Sequence, residues 1–145
     1  MEAGTHSINP DKSYTLLCIE DDPDNLILIR QVLKAYTNIH LITSREGKAG
    51  IELALAHHPD LILMDVHLPG MDGFTALKAL RSYQETRSIP VVAVSAKAMG
   101  EDVEIGMAAG FDAYVTKPIN VVHLMEVLGN LLETNKGASL KIFRR

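Results

Sequence analysis

The sequence predicts an α/β fold, a doubly wound, parallel, five-stranded sheet flanked by five helices. Three observations lead there. Along the 145 residues, five apolar runs of strand length alternate with five segments of helical period, the pattern of successive βαβ units. The runs are nearly continuous in apolar residues, as strands buried on both faces are. Four of them end in residues able to do chemistry, at the edge where open α/β sheets bind ligands. The length suits one domain, commonly ~100–150 residues, and right-handed crossovers then place helices on both faces of the sheet. The expected domain covers residues 14–134, with a flexible extension over 1–13 and a basic tail over 135–145.

The first strand is Thr15-Leu16-Leu17-Cys18-Ile19, ending in Glu20-Asp21-Asp22. Asp22 before Pro23 makes an N-cap and N1 pair, and Leu26, Ile29, Leu33 and Tyr36 then recur at helical steps. Ile39 to Thr43 is the second strand. Ser44 is placed to cap the second helix, which has Ile51, Ala54 and Leu55 inside and ends near His57-His58-Pro59. Leu61-Ile62-Leu63-Met64, the third strand, ends at Asp65. A loop with Pro69, Gly70 and Gly73 leads into a helix through Phe74, Leu77 and Leu80. Pro90 opens the fourth strand, Val91-Val92-Ala93-Val94, which ends at Ser95. The fourth helix, about Met99 to Ala109, is weak, because Gly100 and Gly106 each cost up to ~1 kcal/mol relative to alanine. Gly110 is its natural stop. Ala113-Tyr114-Val115-Thr116 is the fifth strand and ends at Lys117-Pro118. The last helix gathers Val121, Leu124, Met125, Leu128, Leu131 and Leu132 on one face.

Composition excludes several classes. Eighteen acids against fourteen Lys and Arg give a net charge of −4, without the basic stripe of a nucleic-acid-binding domain. The single cysteine, Cys18, excludes an internal disulfide and a Cys-rich zinc site. No apolar run approaches the ~18 residues of a membrane span, and the polar N-terminal stretch lacks a signal-peptide core, so no membrane partner and a cytoplasmic location are expected. No Gly-x-Gly-x-x-Gly follows the first strand, and neither a P-loop nor a Gly-x-Ser-x-Gly elbow is present. A haloacid-dehalogenase phosphatase would need a second Asp two residues after the nucleophile, where this chain has His67.

The acids after strand 1, Asp65, Ser95 and Lys117 all sit at C-terminal strand ends. Two βα units separate the first pair and one unit each later pair, so parallel neighbours bring these side chains together. Clustered carboxylates repel unless a cation lies between them. Oxygen ligands without His or Cys suit Mg2+, and an opposed lysine suits a phosphoryl oxygen. Asp is a known phosphoryl acceptor, and such transfer needs mainly positioning and charge neutralisation. Without Glu20, Asp21, Asp22 and Asp65, acids and bases balance at 14 each, so the formal excess can be assigned to this one edge. Taken singly, Glu20-Asp21-Asp22 is equally a helix-start acidic cluster, Asp65 a strand-end cap, Ser95 a strand-end hydroxyl, Lys117 a solvated lysine and Tyr114 a half-buried strand aromatic.

Together these pieces resemble the CheY-like receiver domain of two-component response regulators, from about Thr15 to Glu133. The resemblance rests on Ile19-Glu20-Asp21-Asp22, Leu63-Met64-Asp65-Val66 with Leu68-Pro69-Gly70-Met71-Asp72-Gly73, Val94-Ser95-Ala96, and Tyr114-Val115-Thr116-Lys117-Pro118. It implies a flavodoxin-like strand order of 2-1-3-4-5. It implies that Asp65 accepts a phosphoryl group from the phosphohistidine of a histidine kinase or phosphotransfer protein. It also implies Mg2+, with Mn2+ as substitute, on Asp21, Asp65 and the His67 carbonyl, with Glu20 acting through water. Lys117 would pair with Asp65 and then the phosphoryl group, Ser95 (threonine in many relatives) would turn toward that group, and Tyr114 would move inward. The Lys117-Pro118 bond would be cis.

A domain of this kind is a signalling switch rather than a classical enzyme. The expected output face is the fourth helix, fifth strand and fifth helix, with Val122 and Val127 off the main apolar face of the last helix. The side chains of His67 and Lys97, two residues after Asp65 and Ser95, are expected at the pocket rim, where they would tune attack by water. The adjacent His57 and His58 point to different sides of a helix and form no metal pair. His6, His40 and His123 are expected at the surface or partly packed. Two contexts fit: a stand-alone regulator, similar to the DivK-like single-domain type around Ile119-Asn120-Val121-Val122-His123, and the receiver of a hybrid histidine kinase, suggested by Gly110-Phe111-Asp112-Ala113-Tyr114 and by the lead-in Thr15-Leu16-Leu17. A degenerate receiver that only binds partners is the third reading, and the intact acids weigh against it.

Overall fold

The computed structural model describes residues 11–135. The expectations for residues 1–10, including His6, and for 136–145 of the basic tail lie outside the described residues. Five strands, β1 (Tyr14–Ile19), β2 (Ile39–Ser44), β3 (Leu61–Asp65), β4 (Val91–Ser95) and β5 (Ala113–Thr116), form one sheet in the order β2-β1-β3-β4-β5. Every pairing is parallel. The helices α1 (Pro23–Leu33), α2 (Gly47–His57), α3 (Gly73–Ser82), α4 (Gly100–Ala109) and α5 (Val121–Asn135) alternate with them.

Side chains alternate along each strand, so the sheet feeds two cores. One face carries Leu16, Cys18, Leu61, Leu63, Val92, Val94 and Val115 against α1 and α5. The other carries Leu17, Ile19, Ile62, Met64, Val91 and Ala93 against α2 and α3. This two-sided burial is why β3 and β4 read as unbroken apolar runs, whereas β2 at the sheet's edge is only partly buried. On α5, Leu124, Met125, Leu128 and Leu132 are buried and Leu131 is partly buried. Val122 lies off this face and is exposed. Two residues depart from the expectation: Val127 is partly buried against the core, and Val121, expected on the buried face at the start of the helix, is exposed.

Local chemistry sets most helix starts. The Asp22 carboxylate accepts the Asp24 amide at 2.9 Å, with Pro23 in the first helical position. Asp72 accepts the Thr75 amide at 2.8 Å to begin α3, and the Asn120 side chain accepts the His123 amide at 3.0 Å before α5. The expected cap at Ser44 is corrected. Ser44 closes β2, and Glu46 occupies the cap position of α2 without a side-chain bond. The Ser44 hydroxyl instead donates to the Glu46 carbonyl and accepts the Glu46 amide, a local turn that competes with capping. Tyr36 also falls beyond its helix: α1 ends at Leu33, whose carbonyl accepts the Tyr36 amide at 2.9 Å. α4 ends as expected at Gly110, in the left-handed region at φ 113°.

Gly73 marks the closest backbone approach beside the sheet's C-terminal edge. A methyl group there would lie 2.7 Å from the Val66 Cα and 2.8 Å from the Asp65 carbonyl oxygen. Gly73→Ala is therefore expected to destabilise by about 1–3 kcal/mol through overpacking, more than the ~1 kcal/mol that alanine gains in helix propensity. Chemical denaturation measures the difference, and an unchanged or stabilised variant would show that the backbone gives way freely.

Candidate functional site

The parallel register brings the four strand ends together. Ile19 pairs with Met64 and Ser95 with Thr116, so Glu20, Asp65 and Lys117 leave adjacent parts of one edge. The Lys117 ammonium donates to Asp65 Oδ2 at 3.1 Å and to Glu20 Oε2 at 3.2 Å. Both carboxylates are sunk below the surface, Glu20 at 1% and Asp65 at 5% exposure. Backbone amides complete the shell. His67 N–H donates to Asp65 Oδ1 at 2.9 Å, and Asp22 N–H to Glu20 Oε2 at 3.1 Å. The Lys117–Pro118 bond is cis.

Burial pushes the Glu20 carboxyl up to about 7, reinforced by its hydrogen bond to Asp65 and opposed by the Asp22 amide and Lys117. Burial also works against charge on Asp65, but hydrogen bonds from Glu20, the His67 amide and Lys117 outweigh it and hold that carboxyl below the usual range. Burial opposes the charge of Lys117 as well, and its bonds to Asp65 and Glu20 win, raising its pKa. Any shared proton therefore sits on Glu20, leaving Asp65 as the carboxylate.

The remaining candidates fall into two groups. Ser95 is fully buried, and its hydroxyl oxygen accepts the Lys97 amide at 3.0 Å. The Tyr114 hydroxyl donates to the Lys97 carbonyl at 2.8 Å. His67 and Lys97 both line a cavity of about 150 Å3, together with Val66, Phe74, Asp102, Ile105 and Tyr114. Asp21 stands apart. Its side chain is half exposed, with Oδ1 3.8 Å from the Arg45 guanidinium, which also donates to the Asp21 carbonyl. Among the described residues, no three His, Cys, Asp or Glu side chains converge as a ready metal cage. The acids at this edge, Glu20, Asp21 and Asp65, nonetheless offer only oxygen donors. That chemistry fits Mg2+, which keeps several waters and needs only one or two carboxylates.

Sequence reasoning pairs Lys117 with Asp65 alone, whereas the structure adds Glu20. Arg45, Phe74, Asp102 and Ile105 went unflagged, and no local signal marks them. His40, His57, His58 and His123 are exposed.

The model of the response regulator receiver domain matches residues 16–129. The chain is 39% identical over 118 residues to the polar-differentiation response regulator DivK of Brucella ovis, covering 81% of this chain and 95% of that protein. The chain belongs to the response regulator receiver domain family. Among solved structures, it is similar to the signal receiver domain of a signal transduction histidine kinase from Syntrophus aciditrophicus, with a TM-score of 0.77 and 27% identity over 91% of this chain and 100% of that one. It is also similar to the receiver domain of a Pseudomonas aeruginosa PAO1 sensor histidine kinase, which has a magnesium ion coordinated in its active-site cleft. There the TM-score is 0.75, with 28% identity over 83% of this chain and 98% of that one. Receiver domains are signalling modules, and phosphorylation is the family's known function.

The receiver's carboxylate pair makes its stability depend on pH. Glu20 holds its proton more tightly folded than unfolded, so its contribution falls as pH rises from 4.5 toward about 7. Asp65, shifted the other way, loses stabilisation only as pH drops below 3.8, outside that window. In EDTA-containing buffer, stability is expected to decline between pH 4.5 and 7 and Glu20→Gln to flatten the decline. An equal decline in both proteins, by urea denaturation across pH, would remove Glu20 as its source.

Proposed function

We propose that this receiver, spanning residues 14–134, takes a phosphoryl group onto Asp65 from the phosphohistidine of a histidine kinase or phosphotransfer protein. The observation that carries the reading is the Lys117 ammonium held between two buried carboxylates at the C-terminal edge of the sheet. An Asp65 carboxylate oxygen attacks phosphorus, the N–P bond of the donor breaks, and the imidazole leaves and takes a proton from solvent. Asp65 is suited to this because its surroundings keep it ionised. Asp21, Asp65 and the His67 carbonyl would hold Mg2+, with Glu20 acting through water, and the ion would offset the negative charge brought together by acceptor and phosphoryl group. Mn2+ meets the same oxygen ligands. Lys117 then pairs with a phosphoryl oxygen, and the Ser95 hydroxyl supplies another contact once it turns from the Lys97 amide.

The readout is a shift of population between two conformations. Tyr114 moves with Ser95, and the face built by α4, β5 and α5 meets the downstream protein. That face carries the exposed Met99, Ile105, Met107, Val121 and Val122. Among the described residues no helix is long and apolar enough to cross a membrane; a cytoplasmic setting, with neither nucleic acid nor membrane as partner, belongs to this proposal. The DivK likeness favours the single-domain regulator over the hybrid-kinase context, and both use the same site.

Incubation with acetyl phosphate and Mg2+ is expected to add one phosphoryl group by intact mass, and Asp65→Asn is expected to gain none. A folded protein that gains no mass would be a partner-binding module only. Once phosphorylated, His67→Ala and Lys97→Ala are each expected to change the dephosphorylation rate several-fold, because both line the cavity that water crosses. Unchanged rates would remove both from that role.

A further inference from the structure

The acids of the site are served by different cations. Lys117 lies against Glu20 and Asp65. Asp21, the third acid, has Arg45. One guanidinium nitrogen of Arg45 donates to the Asp21 carbonyl at 3.1 Å and stands 3.8 Å from Asp21 Oδ1. Both side chains remain open to solvent, Arg45 at 62% and Asp21 at 51% exposure. A pair this exposed adds little to stability, so the contact has its consequence elsewhere.

Two neighbouring strand ends bring it about. Arg45 directly follows β2, and Asp21 stands two residues beyond β1. The strands are parallel, with Ile19 opposite Ser44, so the two loops leave the sheet side by side. The Glu20 amide donates to the Ser44 carbonyl at 2.9 Å and carries the ladder one step past the strands. Ser44 then closes on Glu46, its hydroxyl donating to the Glu46 carbonyl at 2.9 Å and accepting the Glu46 amide at 3.3 Å. Arg45 is left at the tip of this tight turn. The Ser44 hydroxyl thus serves the turn that presents Arg45 to the loop after β1, and α2 starts without a side-chain cap.

Charge gives the contact its meaning. An arginine is always protonated, and here it stands at an acid proposed to hold Mg2+. A cation on Asp21 would lie within a Debye length of the guanidinium, ~8 Å at physiological ionic strength, and like charges repel. We propose that Arg45 is a built-in rival of Mg2+ at Asp21, lowering the affinity of the site for the metal and offsetting repulsion among Glu20, Asp21 and Asp65 when metal is absent. Arg45 is then a positioning residue that acts through Asp21. The inference rests on the reading of Asp21 as a Mg2+ ligand and concerns the unphosphorylated chain.

Titration of the full, unphosphorylated chain with magnesium chloride, followed by the Asp22 and His67 amide signals in NMR, tests this. Arg45→Gln removes the charge and keeps side-chain N–H donors. It is expected to tighten Mg2+ binding about fivefold. Arg45→Lys keeps the charge and is expected to stay within about twofold of the unaltered chain. In about 1 M NaCl, where the Debye length is ~3 Å, the gain in Arg45→Gln is expected to fall below about twofold. An Arg45→Gln chain that binds Mg2+ no more tightly would overturn the rivalry. So would an Arg45→Lys chain that gains as much as Arg45→Gln, or a gain that salt leaves intact, because either result removes charge as the cause. Absence of Mg2+ binding in every variant overturns the rivalry together with the metal assignment. Acetyl phosphate labelling of the unaltered chain separates the remaining readings. Without a mass gain in chain shown to bind Mg2+, the phosphorylation reading falls, while the Arg45 titrations still decide the rivalry.

Discussion

The site depends on one arrangement: two carboxylates buried side by side with a single ammonium against both. Lys117 lies 3.1 Å from Asp65 and 3.2 Å from Glu20. At an effective dielectric constant of 20, one such attraction is on the order of 5 kcal/mol. Taking each charge out of water costs several kcal/mol, so the gain and the loss roughly cancel. The triad therefore contributes geometry more than stability. It holds Asp65 ionised and in place, and it leaves more negative charge than one lysine offsets. The proton held by Glu20 partly relieves that excess, and so would a divalent cation.

The rest of the fold exists to present this arrangement. Parallel strands put all their C-terminal ends at one edge, and helices on both faces bury the central strands β3 and β4 completely, so in those strands polar residues stand only where the strands stop. The cost of a carboxylate at such a depth is limited by backbone donors. The His67 and Asp22 amides each reach a carboxylate oxygen because the chain turns sharply after β3 and after β1. Gly73 then lets α3 begin almost in contact with that first turn. The Mg2+-containing receiver domain from Pseudomonas aeruginosa shares this fold at 28% identity.

The two edges of the sheet have different tasks. At the C-terminal edge, Ser95, Lys97 and Tyr114 form a short chain of hydrogen bonds beside a small cavity. At the N-terminal edge, Arg81 and Asp112 fasten the turn that follows α4. The helix between them buries one residue, Gly106, with Asp102 and Val103 half-buried. An element held this lightly can shift without breaking the cores on either face.

Much of this was legible from residue order. Apolar runs of strand length marked all five strands, most plainly β3 and β4, where burial on both faces leaves no room for polar alternation. Asp22-Pro23 and Gly110 act within a few residues of themselves, so their roles as helix start and helix stop could be read directly. The placement of Glu20, Asp65, Ser95 and Lys117 at strand ends followed from the same pattern. Ser44 was misread because its hydroxyl had two local options, a cap and a turn, and the turn closing β2 took it. What only the tertiary structure decided is which distant groups meet. Lys117 reaches Glu20 across 97 positions of sequence, Arg45 donates to the Asp21 carbonyl, and Arg81 gathers three carbonyls and a carboxylate. A hydrophobic pattern records which face of an element is buried. It carries no record of strand register or of how crossovers stack, and those set the distances on which ion pairs and hydrogen bonds depend.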